Sequence, residues 1–432
     1  MLSNFKSRKL TKVLWIASFS CLLASCSMRS TQPSVEVQTQ KLAETLSKGG
    51  YVAGAEIEIE SLRDVWIHDS TQLDTMMTMP TAVGNYPLII YLPSLGEDAN
   101  AGRIWRETWA KAGYAVFSLQ PVLTAQALKE VEAMKKLNPE LEREDGLEAE
   151  DDVEPSQSLT EGWFGGKLQR PSRSAQNSEL RYLGHEYFAV DNLKQRMQQV
   201  FWVYQQLKAR KSLGQFTSVD LSKVIIAGYD LGAQTVAGVI GENFDSALPE
   251  SSEFKPLAAI AISPSVNLAK GNVRSRFQAI KLPLLVVTGT EDNDPYAISS
   301  ASVRTSLWEH AAAGGKYLLM LQSAGHQVLA GSEVNSRFAA GRRGLSDQEQ
   351  FGGSQLGRRN PNANQGLIAG LMGDRGRRNI EQSYKQVAAV ASVSSAFLDA
   401  VVKNDEFARF WLADKSNAWL GNAGQIKQRE LK

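Results

Sequence analysis

The chain has 432 residues, of which 47 are Lys or Arg and 46 are Asp or Glu, and 43% of all residues are hydrophobic. This composition is that of a globular protein, and it excludes a collagen, a coiled coil, a disulfide scaffold and a disordered chain. The net charge of +1 provides no field that would attract a polyanion, so no nucleic-acid partner is expected.

The amino terminus has the plan of a secretory signal peptide. Basic residues between Lys6 and Lys12 precede an apolar stretch from Val13 to Leu23, which is too short to span a bilayer as an ordinary helix. The stretch ends in Leu23-Ala24-Ser25-Cys26. This tetrapeptide resembles the lipobox of bacterial lipoproteins, in which the signal is cleaved before the Cys and the Cys is lipidated. Cleavage at the small residues with a free Cys26 is the alternative.

The lipobox divides the chain into a signal peptide over residues 1–25, a lipidated polar tether over residues 26–50 and a folded body over residues 51–430. Cys21 would leave with the signal and Cys26 would be acylated, so no disulfide is expected. Ser27 after the Cys resembles lipoproteins sent to the outer membrane of a Gram-negative cell. The expected location is therefore the bacterial cell envelope, facing the periplasm, with Cys26 as the membrane anchor. No obligatory protein partner is evident.

From about Tyr51 onward, short apolar runs alternate with helical stretches. This pattern predicts an α/β fold, with a mainly parallel sheet and helices on both faces. The predicted strands are Ala55–Ile67, Asp74–Met79, Pro87–Leu92, Tyr114–Leu119, Val224–Ala227, Ala258–Ile262, Leu284–Val287 and Tyr317–Leu321. The predicted helices are one that carries Ile104, Trp105 and Trp109, and others over Ala189–Ala209, Ala233–Ile240 and about Tyr384–Val402.

Two insertions interrupt this alternation. The first, at about residues 123–188, contains an acidic run between Glu140 and Glu154 that is expected to be a solvated loop. The second, at about residues 335–380, is rich in Arg and Gly and is expected to be an exposed loop, with contact to an anionic lipid surface as the alternative. The first insertion also has an aromatic flank, which is expected to form a cap over a pocket and contains Trp163, Phe164, Tyr182 and Tyr187.

The most informative residues are Gly228-Tyr229-Asp230-Leu231-Gly232, which follow a predicted strand directly and precede a predicted helix directly. A strand, a sharp turn with Gly on both sides and a helix form a nucleophile elbow, in which the glycines allow close backbone packing around a strained central residue. Asp230 occupies the centre. The four His are scattered and no HExxH or CxxC spacing occurs, so no metal or other cofactor is expected.

The elbow occurs in order with "YPLIIYLPSLG", "AIAISPS", "LLVVTGTED", "SAGHQ" and "AFLDAVVKNDEFARFWL". This set resembles the α/β-hydrolase superfamily, and more narrowly the bacterial dienelactone-hydrolase and platelet-activating-factor acetylhydrolase-like esterases, over most of residues 51–420. The resemblance implies an α/β-hydrolase fold, a small or lipid-like substrate, and catalytic residues in the order nucleophile, acid, histidine. Asp230, Asp292 and His326 follow three predicted strands in that order, with Asp294 as the alternative acid.

The same resemblance implies an oxyanion hole formed by two backbone N–H groups. One belongs to Leu231, directly after the nucleophile position, and the other to Leu95, in the turn after the strand Pro87–Leu92. Glu97 and Asp98 follow closely in this turn, and acidic side chains beside an oxyanion hole oppose the stabilisation of an anion.

The departure from the esterase pattern is Asp230 itself, because these esterases carry Ser at its position. A carboxylate with an ordinary pKa of about 3.9 attacks an ester carbonyl poorly, whereas it is a competent nucleophile for a saturated carbon or an epoxide. "GYDLGA" accordingly also resembles the elbow of epoxide hydrolases and haloalkane dehalogenases. Leu231 stands where those dehalogenases usually have a halide-binding Trp, which counts against dehalogenation.

Three hypotheses follow from these residues. The first is a membrane-anchored hydrolase of ester-type small or lipid-like substrates, with Asp230 as nucleophile or as base for water. The second is an Asp-nucleophile hydrolase of epoxides or related carbon electrophiles, in which Tyr182 or Tyr187 binds the epoxide oxygen. The third is a binding protein on a disabled hydrolase scaffold. An acid and a histidine in the right order favour an active hydrolase.

Overall fold

In a computed structural model of the protein, the described residues are 34–54, 57–129, 131, 173–332, 334 and 363–429. Of residues 173–177 and 363–380 only the helical backbone is described. The predicted signal peptide, Cys26, the acidic run, Trp163 and Phe164 lie outside the described residues, as do residues 335–362 of the Arg/Gly-rich insertion.

The described part of the chain contains a mixed sheet of nine strands in the order β1-β2-β4-β3-β5-β6-β7-β8-β9. The six central strands, β4, β3, β5, β6, β7 and β8, are parallel to one another, whereas β1, β2 and β9 pair antiparallel with their neighbours. The strands are β1 Ile59–His68, β2 Thr71–Pro80, β3 Tyr86–Leu92, β4 Ala115–Pro121, β5 Val219–Tyr229, β6 Ala258–Ile262, β7 Leu284–Glu291, β8 Lys316–Gly325 and β9 Gly424–Arg429.

Helices surround this sheet and give an α/β fold. The α-helices are α1 Val35–Leu46, α2 Arg103–Lys111, α3 Val122–Gln126, α4 Arg173–Tyr187, α5 Val190–Ala209, α6 Leu231–Val239, α7 Val273–Phe277, α8 Ser306–His310, α9 Ala363–Val402, α10 Glu406–Phe410 and α11 Ser416–Leu420. Short 3₁₀ segments cover Gly214–Ser218, Leu268–Lys270, Ala301–Val303, His326–Ala330 and Gly421–Ala423, and Trp411–Lys415 is a π-helical turn.

The buried stretches of the central strands, such as Leu88–Leu92, are apolar because both faces of the sheet are covered. In β3, Ile89 and Tyr91 face a core that includes Trp105 and Trp109 of α2 and the buried face of α9. Leu88 and Ile90 alternate with them and face a second core, which includes residues of α5 and α6. The sheet is therefore a middle layer between two layers of helices.

The eight predicted strands are present, with ends that differ by up to five residues, and so are the predicted helices. The expectation of a loop up to residue 380 is wrong in part, because α9 begins at Ala363 and not near Tyr384. Several elements were not predicted: the helices α1, α3, α4, α7, α8, α10 and α11 and the strand β9. β9 has the polar sequence GQIKQR and lies at the sheet edge beside β8, so it lacks the apolar pattern of a central strand. α1 lies within the expected tether and has few apolar contacts: Leu42 is buried, and Gln38 accepts a hydrogen bond from the backbone N–H of Val334 at 3.0 Å.

Within the described residues, the helical segment Glu381–Val402 is long and apolar enough to cross a membrane by composition alone. Of the apolar 18-residue window within this segment, 89% is buried inside the fold, which is the pattern of a core helix.

A buried carboxylate attaches the start of the folded body to α9. Asp399 accepts hydrogen bonds from the hydroxyls of Tyr51 at 2.7 Å and Tyr114 at 3.0 Å, and Lys403 lies 2.7 Å from it. Because both buried hydroxyls would lose their acceptor without the carboxylate, Asp399 is an important contact between distant parts of the chain.

We expect Asp399→Ala to lower the free energy of unfolding by about 3 kcal/mol, because two buried hydroxyls lose their acceptor. Tyr51→Phe, which removes one of the hydrogen bonds, should cost about 1–2 kcal/mol. Urea unfolding measures both effects, with the exposed Asp245→Ala as the control that should leave the midpoint unchanged. A loss below about 1 kcal/mol for Asp399→Ala would contradict this role.

Candidate functional site

Asp230 lies in a strained turn between β5 and α6. Its φ of 51° and ψ of −105° are values that residues other than Gly seldom adopt. The flanking glycines permit this turn, since a Cβ atom at Gly228 would overlap the backbone of Gly232, and one at Gly232 would overlap the carbonyl oxygen of Leu92. The N–H of Asp230 donates to the carbonyl of Ile262 at 3.0 Å, which attaches the turn to the end of β6.

Two seryl hydroxyls hold the carboxylate of Asp230. Ser94, in the turn after β3, donates to Oδ2 at 2.7 Å, and Ser265, in the loop after β6, donates to Oδ1 at 2.8 Å. The Asp230 side chain is fully buried. Its charge is therefore stabilised by fixed polar groups and not by bulk water.

The structure brings the three predicted catalytic residues together. His326 directly follows β8, and its Nε2 lies 3.8 Å from Oδ2 of Asp230. Its Nδ1 lies 2.8 Å from Oδ1 of Asp292, which follows β7. The hydroxyl of Tyr229 donates to the carbonyl of His326 at 2.9 Å and fixes the start of this turn. The imidazole thus lies between two carboxylates.

Asp292, and not Asp294, contacts the histidine. Asp294 instead accepts backbone N–H bonds from Tyr296, Ile298 and Ser299, and so closes the loop after β7. Arg304 lies between the two acids, with Nε 3.4 Å from Asp292 and Nη2 3.5 Å from Asp294.

Further hydrogen bonds fix the orientation of Asp292. Thr288 donates to its Oδ2 at 2.8 Å and Ser263 donates to its Oδ1 at 2.8 Å. The Ser263 hydroxyl is also 3.0 Å from Nδ1 of His326. Ser263 has a φ of 52°, so a second strained residue supports the site.

The charges of the site depend on one another. Burial alone would raise the pKa of Asp230, but its interaction with His326 outweighs burial and holds this pKa at about 2. Burial would lower the pKa of His326, yet the hydrogen bonds and charges of Asp230 and Asp292 raise it to about 9. The pKa of Asp292 is likewise lowered, because His326 and Arg304 outweigh its burial. At neutral pH the site contains two carboxylates and an imidazolium.

The turn after β3 contains a fourth ionisable group. Oε2 of Glu97 accepts the N–H of Ser94 at 3.0 Å, and removal from water together with the charge of Asp230 raises the pKa of Glu97 to about 7. The side chains of Leu95 and Leu231 belong to the same buried apolar cluster. The N–H of Leu231 is the first in α6, a position that has no acceptor within a helix. The two predicted oxyanion-hole residues therefore lie in one cluster, and Glu97 follows Leu95 closely in the same turn.

Part of the first insertion covers the elbow. Leu180 of α4 and Phe188, which follows α4, form a small apolar cluster with Leu231 and Tyr296. Tyr182 is 64% exposed and does not belong to this cluster, so a role for its hydroxyl in binding a substrate oxygen stays a prediction. On α4 the side chain of Tyr182 points to solvent, whereas that of Leu180 is buried. Tyr187 is partly buried at the edge of the same cluster.

A cavity of about 560 Å³ opens beside the site. Glu97 and Gln327, the residue after His326, form part of its wall, and Arg103 and Lys129 also line it. A cavity of this size accommodates a ligand of moderate size, and its polar wall favours a substrate with polar groups.

Several site residues were missed by sequence reasoning, namely Ser94, Ser263, Ser265, Thr288, Tyr296 and Arg304. Ser263 and Ser265 lie within "AIAISPS", so a seryl pair at the end of a buried strand was the available signal. Among the described residues, no group of three or more His, Cys, Asp or Glu side chains is arranged to hold a metal ion.

No family model matches this chain, and no curated protein matches its sequence. The function must therefore be argued from the chemistry of the site.

We expect the imidazole of His326 to titrate near pH 9 in NMR spectra, and about one pH unit or more lower in Asp230→Asn, because Asn carries no charge. Its signal is identified by its absence from His326→Gln. Since the folded-state pKa exceeds the unfolded one, stability contributed by this group is complete below about pH 6.5 and is lost as the pH rises through about 9. The control, the exposed Asp245→Asn, should leave the titration unchanged. An Asp230→Asn protein with the native titration would show that Asp230 does not hold this proton.

Proposed function

We propose that the protein is a hydrolase of the α/β-hydrolase fold that uses Asp230 as a nucleophile toward epoxides or related carbon electrophiles. The observation that carries this proposal is that one buried imidazole lies between the elbow carboxylate Asp230 and a second carboxylate, Asp292.

The positions of the residues support the choice of fold. Asp230 follows β5, Asp292 follows β7 and His326 follows β8, which is the nucleophile, acid, histidine order of that superfamily. The elbow is a strained strand-to-helix turn, and the turn after β3 lies next to it, where such hydrolases place the second oxyanion donor.

The low pKa of Asp230 supports nucleophilic attack and counts against its action as a base. A carboxylate with a pKa of about 2 takes a proton from water very poorly. The same carboxylate is charged at every physiological pH and is held by Ser94 and Ser265. Attack by one of its oxygens on an epoxide carbon would break the C–O bond and form an alkyl ester of Asp230.

Ester formation then prepares the second step. It removes the negative charge that keeps His326 protonated, so the imidazole pKa falls and its Nε2 becomes a base. His326 would take a proton from water, and the resulting hydroxide would attack the carbonyl carbon of the Asp230 ester. Asp292 would stabilise the imidazolium that forms. Cleavage of the ester would release a diol and restore the carboxylate of Asp230.

Hydrolysis of carboxylic esters is the second candidate, and the order of the three residues along the sheet favours it. Its difficulty is chemical, because attack by Asp230 on an ester carbonyl would form a reactive anhydride. A binding protein on a disabled scaffold is the reading that would follow if neither bond were cleaved.

We also propose that the protein is a lipoprotein of the cell envelope, attached to a membrane by Cys26 and facing the periplasm. Because α1 begins at Val35 and packs on the folded body, the proposed tether reaches only to residue 34. The substrate would be small or lipid-like.

The test is to trap the covalent intermediate. We expect His326→Ala to retain alkylation of Asp230 by an epoxide such as styrene oxide but to lose hydrolysis of the ester, because the base is missing. Intact-mass and peptide mass spectrometry should find the added mass of the epoxide on Asp230. The native protein should turn over with no adduct accumulated, and Asp230→Asn should do neither.

p-Nitrophenyl acetate is tested in parallel as the ester substrate. Turnover of the acetate that requires His326, with no adduct from the epoxide, would replace the proposal with the ester hydrolase. If the native protein hydrolyses neither compound and His326→Ala forms no adduct, the binding-protein reading replaces both.

A further inference from the structure

We propose that Glu97 is the acid that protonates the substrate oxygen as Asp230 opens the ring. This inference rests on the proposed function and adds a residue to it, since neither the elbow nor the histidine supplies an obvious proton donor on the side of the cavity.

A single residue joins Glu97 to the nucleophile. The N–H of Ser94 donates to Oε2 of Glu97 at 3.0 Å, while the hydroxyl of the same serine donates to Oδ2 of Asp230 at 2.7 Å. Both carboxyl groups therefore accept a hydrogen bond from Ser94, and a substrate attacked by Asp230 would lie within reach of Glu97.

The cavity lies on the Glu97 side of this pair. Glu97 and Gln327 contribute to its wall, whereas Asp230, His326 and Tyr296 are not among the described residues that line it. A substrate that enters from the cavity meets Glu97 first, with Asp230 behind it. The oxygen released by ring opening would then point back toward Glu97.

The surroundings of Glu97 favour its neutral form. Removal from water is the largest cause of the rise of its pKa to about 7. The charges of Asp230 and Asp98 also raise this pKa, whereas the N–H of Ser94 and the charge of His326 lower it. A neutral acid also resolves the conflict of an acidic side chain beside the oxyanion hole, because a protonated carboxyl donates a hydrogen bond to a developing anion. The titratable and charged groups that face Glu97 from the surrounding elements are Tyr91, Asp98, Arg103, Lys129, Tyr229, Asp230, Tyr296 and His326.

The proton balance closes with this assignment. An Asp230 oxygen forms a bond to the epoxide carbon, the C–O bond breaks, and the released oxygen takes the proton of Glu97. The Asp230 ester is neutral, so His326 gives up its own proton, which returns to Glu97 through water in the cavity. His326 is then the neutral base that the hydrolytic step requires, and no oxidant or reductant is needed.

The experiment measures how fast the adduct on Asp230 forms in the full-length His326→Ala protein, by rapid quench and mass spectrometry. Two probes are compared: styrene oxide, whose oxygen needs a proton, and benzyl chloride, whose chloride leaves without one. Glu97→Gln is added to this background, because Gln keeps an acceptor for the N–H of Ser94 but has no proton to transfer. Tyr296→Phe, in the same background, tests a phenol hydroxyl whose charge interacts with both Asp230 and Glu97.

We expect Glu97→Gln to slow the styrene oxide reaction about 100-fold and to leave the benzyl chloride reaction within about twofold. With Glu97 present, the epoxide rate should fall as the pH rises past about 7 or somewhat above, since the charge of His326, which lowers the pKa of Glu97, is missing in this background. Glu97→Gln should remove this pH dependence, and Tyr296→Phe should preserve it.

Equal slowing of both probes by Glu97→Gln would show a structural effect and overturn the proposal. An unchanged epoxide rate in Glu97→Gln would also overturn the proposal. So would a result in which Tyr296→Phe, and not Glu97→Gln, slows the epoxide reaction. If the parent His326→Ala protein forms an adduct with neither probe, the proposed function fails and the inference fails with it. If the adduct forms equally well in Glu97→Gln, only the inference fails.

Discussion

Two buried carboxylates that share one imidazole set the conditions for the rest of the site. Asp230 and Asp292 are both fully buried and His326 is 9% exposed by side chain, and burying charges costs several kcal/mol for each ion unless they are paired and hydrogen-bonded. The pairing is therefore obligatory, and it is completed by hydroxyl groups and a buried guanidinium. These partners come from the turn after β3, the loop after β6, the end of β7 and the loop that follows it, namely Ser94, Ser263, Ser265, Thr288 and Arg304. Electrostatics thus fixes how several loops meet at one edge of the sheet.

The backbone of the elbow meets a separate demand, which is to aim Asp230 at this edge. Strain of the kind seen at Asp230 costs of order 1–3 kcal/mol and persists only where the surroundings enforce it. Here the enforcement is the close approach of Gly228 to Gly232 and of Gly232 to Leu92, together with the N–H bond from Asp230 to Ile262. The elbow is held on both sides by the strands β3 and β6, so the nucleophile position inherits the rigidity of the sheet.

The sequence was most informative where a local pattern has a single physical solution. Apolar runs such as Leu284–Val287 allow a buried parallel strand, and the two glycines around Asp230 allow a tight turn, so the α/β class and the grouping of Asp230, Asp292 and His326 were predictable. The polar edge strand β9 and the helix α1 were not predictable, because they are stabilised by contacts with distant residues and not by an apolar periodicity of their own.

Side-chain direction was also beyond the sequence. Tyr182 and Leu180 are two residues apart on α4, and nothing in their spacing tells which one faces the elbow until the helix is docked. The hydroxyl ligands of the two carboxylates were hidden for a similar reason. Ser94, Ser265 and Thr288 are ordinary residues in a sequence, and only the convergence of three strand ends brings them to Asp230 and Asp292.

An aspartate at the elbow determines the ionisation state of His326 as well as the chemistry of residue 230. With a neutral residue at position 230, the histidine would face a single carboxylate, Asp292, and would be closer to the neutral state that a base requires. With Asp230 the same histidine holds a proton up to about pH 9 and cannot act as a base while Asp230 is charged. In the proposed reaction, alkylation of the Asp230 carboxylate would remove this charge and release the base. The proposed attack by Asp230 is thus consistent with every ionisation state in the site, whereas activation of water by the unmodified protein would need a proton acceptor that neither Asp230 nor His326 provides.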